Sequence, residues 1–110
     1  MHEMSITQSV VEICEEHAAG RRVTGVLLEI GELAGVVPDS IEFCFEACSQ
    51  GTVLEGARLT LEIIPGLGCC PLCSAQVPVQ TLFAPCPDCG AFGLNIVSGQ
   101  ELRIRELELE

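Results

Sequence analysis

Lysine, tryptophan and tyrosine are absent from this chain, and histidine occurs only twice. Without lysine, the positive charge rests on five arginines against sixteen acidic residues, for a formal net charge of −11. Nucleic acid, which is bound chiefly by neutralising phosphates, is excluded as a partner. An anionic membrane surface is disfavoured for the same reason. The charge suits a protein that meets cations or a basic protein surface. With four phenylalanines as the only aromatic residues, any core must be mainly aliphatic. No apolar run reaches the length of a membrane span. The opening Met1-His2-Glu3-Met4 has neither the basic segment nor the apolar stretch of a secretory signal. The expected location is therefore the cytoplasm, where cysteines serve more often as metal ligands or buried thiols than as disulfides. No histidine–carboxylate–nucleophile set stands in a recognisable spacing, which argues against an enzyme.

What is present is enough apolar residue, 48% of 110, for one compact domain or a small domain with a lobe. Residues 5–19 read as a helix, capped by Ser5 with Gln8 three positions on and stopped by Gly20. Ile6, Val10, Ile13, Cys14 and Ala18 recur at helical spacing. Val23 to Ile30 reads as a strand closing at Gly31. A second helix is expected from Ser40 to Gln50, with Asp39 as cap, Gly51 as terminator, and Ile41, Cys44, Phe45 and Cys48 on one face. Arg58 to Ile64 alternates as a half-buried strand should, and Pro65-Gly66 breaks it. The tail from Glu101 to Glu110 alternates again, with a change of phase near Arg105-Glu106 that suggests a bulge or a twist. An alternating tail strand needs a partner, so the tail is expected to return to the first sheet. The fold predicted is α/β: two helices on a mixed or antiparallel three-stranded sheet, residues 1–66 and 96–110, with residues 67–95 inserted as a separate lobe.

That inserted stretch holds four of the six prolines and five of the eight cysteines. Cys70-Pro71-Leu72-Cys73 and Cys86-Pro87-Asp88-Cys89-Gly90 are two C-x-x-C knuckles, twelve residues apart. Two thiolates three positions apart on a tight turn grip one ion from one side, and a second knuckle completes a tetrahedron. Zinc(II) favours that all-sulfur geometry, although iron in a rubredoxin-like site has the same ligand chemistry. Four thiolates close the coordination sphere, so the site is structural. Cys69 offers an offset pairing with Cys73, which the spacing disfavours against Cys70. Cys14, Cys44 and Cys48 read as core packing, although Cys44 and Cys48, four apart on one helix face, can in principle hold metal.

The N-terminus carries the second signal. A free terminal amine on Met1, the amide nitrogen of residue 2 once deprotonated, and the imidazole of His2 bind one ion in fused chelate rings. Planar nitrogen donors suit nickel(II) and copper(II), with copper binding at least as tightly in vitro. The fourth position stays open to the amide or carboxylate of Glu3, or to a partner's group, as a carrier requires. His17, late in the first helix, reads as a solvated residue at the helix C-terminus.

Several segments together carry a family resemblance: Met1-His2-Glu3-Met4-Ser5-Ile6, Gly31-Glu32-Leu33, Pro38-Asp39-Ser40 leading to Phe43 and Phe45, Gly51 to Ala57, and the two knuckles. The chain resembles the hydrogenase nickel-insertion proteins, the HypA/HybF family, over essentially its whole length. The resemblance implies an α/β nickel-binding domain with a zinc-ribbon lobe before the last strand. It implies His2 as principal Ni(II) ligand with Glu3 assisting, and zinc(II) on Cys70, Cys73, Cys86 and Cys89. It also implies the GTPase HypB as partner and the large-subunit precursor of [NiFe] hydrogenase as recipient, with urease maturation proteins served by some relatives. Some members carry a further histidine near the zinc lobe; this chain has none there, so its nickel sphere is completed differently. The alternative reading is a zinc-ribbon adaptor that bridges maturation proteins without carrying nickel.

Overall fold

The computed structural model describes the backbone of residues 2–110 and the side chains of residues 3–110. In chain order the elements are α1 (His2–Ala18), β1 (Val23–Gly31), α2 (Pro38–Ser49), β2 (Arg58–Ile64), β3 (Leu67–Cys69), β4 (Gln76–Pro78), β5 (Asn95–Ser98) and β6 (Leu102–Leu109). The strands form two three-stranded sheets, in the orders β2-β1-β6 and β4-β3-β5. The tail strand therefore does return to the first sheet, at the edge of β1. No helix among the described residues is long and apolar enough to cross a membrane.

The chain packs as two compact units, the first comprising Met1–Glu29, Val36–Glu62 and Arg103–Glu110. Its core is mainly aliphatic, as a chain with four phenylalanines and no other aromatic residue requires. Val10, Val11, Cys14 and Ala18 of α1 are buried, as are Val23, Val26 and Leu28 of β1 and Ile41, Cys44 and Phe45 of α2. Leu54 on the connection after α2 is fully buried as well. Ile13, expected on the buried stripe of α1, is 46% exposed, and Thr7 and Val11 are buried instead. The Thr7 hydroxyl tolerates burial because it donates to the Glu3 carbonyl oxygen at 2.6 Å.

Both helix starts differ from expectation. No residue between His2 and Ser5 breaks a helix, so α1 begins at His2 and Ser5 lies inside it rather than capping it. Likewise α2 begins at Pro38, whose ring presets the first helical dihedral, with Val37 as the cap residue and no side-chain cap bond. Asp39 falls inside the first turn. An acid from elsewhere serves that end, since the Val37 N–H donates to Glu3 Oε2 at 3.2 Å.

On β6 the change of phase is realised within one continuous strand. Ile104, Leu107 and Leu109 are half-buried, whereas the consecutive Arg105 and Glu106 are both exposed. Arg103 and Arg105 reach Glu29 of β1, which is only 4% exposed, at 2.5 and 3.1 Å. Arg105 also meets Glu62 of β2 at 3.1 Å.

The second unit comprises Ile30–Gly35 and Ile63–Leu102. In it β3 pairs antiparallel with β4 (Gly68 opposite Val77) and with β5 (Gly68 opposite Ile96). A side chain on Gly31 would overlap the carbonyl of Gly99, so glycine at position 31 lets two backbones touch. Between residues 67 and 98 the buried side chains are Cys70, Val77, Val79 and Cys86. Two valines and two cysteines are too little apolar surface to hold thirty residues together.

Candidate metal centre

The two cysteine knuckles fold alike. The Cys70 N–H donates to the Ala75 carbonyl at 2.9 Å, and the Ser74 N–H returns to the Cys70 carbonyl at 2.9 Å. In the second knuckle the Cys86 N–H donates to Ala91 O at 2.8 Å, and the Gly90 N–H to Cys86 O at 2.7 Å. The residue after each second cysteine has left-handed backbone, with φ of 63° at Ser74 and 76° at Gly90. Glycine at position 90 is a ready turn signal in the sequence; serine at its counterpart is not.

The knuckles bring Cys70, Cys73, Cys86 and Cys89 together, every Sγ within 4.8 Å of the others. Cys70 and Cys89 stand 3.5 Å apart, Cys73 and Cys86 3.7 Å. A zinc–thiolate tetrahedron with bonds of about 2.3 Å has sulfur–sulfur edges of about 3.8 Å. These two edges lie close to that length, so the donor set fits a tetrahedral ion. Cys70 and Cys86 are buried and Cys73 and Cys89 exposed, so one sulfur of each knuckle faces inward. Cys69, the offset candidate, ends β3 opposite Gln76 and Asn95 and is not in the cluster.

Electrostatics say what such a cluster needs. Backbone N–H groups of Cys73 and Leu72, together with the thiols of Cys89 and Cys73, hold the Cys70 thiol down at about 6. Cys73 moves upward: the Ala75 N–H favours its thiolate, but the sulfurs of Cys70, Cys86 and Cys89, with some desolvation, outweigh that. Four thiolates this close cannot all ionise unaided, and a dication relieves the repulsion by displacing the remaining protons.

The N-terminal candidates are less fully in view. Met1 and the His2 imidazole, proposed to ligate nickel, lie outside the described residues, although His2 opens α1. Glu3 is half-buried with one carboxylate oxygen on the Val37 N–H. His17 is exposed in the last turn of α1, as expected.

The family described as hydrogenase/urease nickel incorporation, metallochaperone, HypA, matches residues 1–109. The chain belongs to the HypA family. It is 72% identical over 110 residues to the hydrogenase maturation factor HypA of Geobacter sp. (strain M21), covering all of both chains. It is 66% identical to the factor of the same name from Geobacter metallireducens, again over the full length of both. Among solved structures it is similar to the Ni metallochaperone HypA from Helicobacter pylori, with 25% identity and a TM-score of 0.69 over 99% of this chain and 97% of that one. A second HypA solution structure gives 28% identity and a TM-score of 0.70, covering 100% and 97%. HypA proteins are maturation factors rather than enzymes, and this chain combines that membership with a four-cysteine metal site.

Proposed function

We propose that the chain carries Ni(II) as cargo on the Met1 amine, the His2 imidazole and Glu3, and delivers it to the large-subunit precursor of [NiFe] hydrogenase in the cytoplasm. Zinc(II) on Cys70, Cys73, Cys86 and Cys89 is the resident, structural metal. Residues 1–66 and 96–110 form the nickel-binding domain and residues 67–95 the zinc-ribbon lobe. HypB is the GTPase partner, and urease maturation proteins are further partners, in keeping with the hydrogenase/urease scope of the family.

The observation that carries this reading is membership of a nickel-incorporation family across residues 1–109, with His2 and Glu3 at the positions the resemblance assigns to nickel. The sulfur separations support a tetrahedral thiolate ion, and zinc is the ion best suited to a closed, redox-inert site. The absence of lysine and the −11 charge support a cation carrier.

The test is transfer. Untagged protein loaded with one equivalent of nickel is mixed with metal-free large-subunit precursor, HypB and GTP, and nickel is measured in each after separation. The expected result is stoichiometric movement of nickel to the precursor, with zinc left behind. Nickel that stays on the donor while the precursor accepts free nickel contradicts delivery.

A further inference from the structure

Outside the cysteine knuckles, Met4 lies on α1, and Cys44 and Cys48 lie on α2, the helix packed against it in the first unit. The Cys48 thiol donates to the Met4 thioether at 3.4 Å. Cys44 lies one helical turn before Cys48 on α2, and residues four apart stand about 5–6 Å apart at Cβ. It is close enough to push the Cys48 thiol upward, an effect second to that of burial. Unlike Cys14, which is shut inside the core, this pair is reachable: Met4 is 40% exposed and Cys48 half-exposed. Beside Cys48 runs an open groove of about 320 Å³ that is also lined by Gln8, Glu12 and Glu15.

We propose that Met4 and Cys48, with Cys44 as third donor, form a binding site for a soft monovalent cation, Cu(I), entered through this acidic groove. Thioether and thiol sulfur select soft ions, and Cu(I) is the soft first-row ion that such a sulfur-only set favours. The 3.4 Å sulfur–sulfur separation is too short for a linear two-sulfur complex and fits a bent one, which leaves room for Cys44. Each thiol that ligates releases its proton to solvent, and the copper keeps its oxidation state. The two carboxylates in the groove raise the local cation concentration without themselves being soft ligands. A packing role alone does not call for a thiol and a thioether in contact at a solvent-reachable edge. The site is independent of nitrogen donors and so does not rest on the nickel reading.

The measurement is an anaerobic Cu(I) titration of reduced, untagged, zinc-loaded protein against a chromophoric Cu(I) chelator, with released zinc followed separately. The parent is expected to take up a first equivalent while its zinc stays bound. Met4→Leu and Cys48→Ser are each expected to weaken that equivalent at least about tenfold, with zinc content, helix content and nickel uptake unchanged. A first equivalent that expels zinc from the parent overturns the assignment, because the knuckle thiolates are then the copper site. Copper uptake by both variants equal to that of the parent overturns it as well.

Discussion

Glu29 is a carboxylate at a buried strand position, held there by two guanidinium groups from β6. The hydrogen bond from Arg103, reinforced by the charges of Arg103 and Arg105, outweighs burial and holds Glu29 below its ordinary value of 4.5. A carboxylate depressed in the folded state stabilises the protein fully above its unfolded value, and that contribution is lost as pH falls through the folded value. The Glu29→Gln variant should therefore have a lower denaturant midpoint than the parent at pH 7. The gap should close as pH falls below about 4.5; a gap of constant size contradicts the ion-pair account. Nothing in the sequence marked Glu29, because a lone acid in an apolar strand shows its partners only once β6 is placed beside β1. The cysteines were more legible. Cys14 is 1% exposed and pushed up to about 11 by burial, the inert packing thiol that its place in the α1 pattern implies.

At the scale of the element, the knuckles were legible because C-x-x-C spacing fixes both the turn and the side on which sulfur emerges. Helix starts were less so. Ser5 and Asp39 are good cap residues, yet α1 continues back to His2 and Pro38 opens α2. Capping signals compete with whatever precedes them, and a permissive His2-Glu3-Met4 or a proline wins. The short strands β3, β4 and β5, of three or four residues, carry too few positions for alternation to register. The paired left-handed residues give a direct comparison of the knuckles. Alanine at Gly90 meets no atom but must adopt a conformation costing about 1–2 kcal/mol. Gly90→Ala should therefore weaken zinc binding by about tenfold or somewhat more. Ser74→Gly, which removes a side chain from the same strained conformation, should not weaken it. Competition against a zinc chelator checks both, and equal losses in the two variants contradict the shared-turn description.

For the whole molecule, the proposed function assigns two metals with different tasks. On that reading the closed sulfur cluster retains its ion, whereas the proposed terminal site releases its cargo. Acidification should separate them. Model-peptide values near 6.5 for imidazole and about 7.7–8 for a terminal amine mean that protons compete for the proposed nickel ligands around neutrality. The thiolates hold out to lower pH because the metal keeps them ionised. Nickel should therefore leave at higher pH than zinc when both are followed in one acid titration; the reverse order contradicts this division of roles. The α/β fold, the returning tail and the knuckles were all readable from spacing and periodicity. The contact of Met4 with Cys48 across α1 and α2 was not, since it depends on how two helices pack. The central claim is tested most directly by nickel titration of the untagged parent beside His2→Ala, His17→Ala and a form extended before Met1, with zinc quantified in each. Tight nickel binding should be lost in His2→Ala, weakened by the extension and kept in His17→Ala, with zinc at one equivalent throughout. Nickel binding by His2→Ala equal to the parent's contradicts the account.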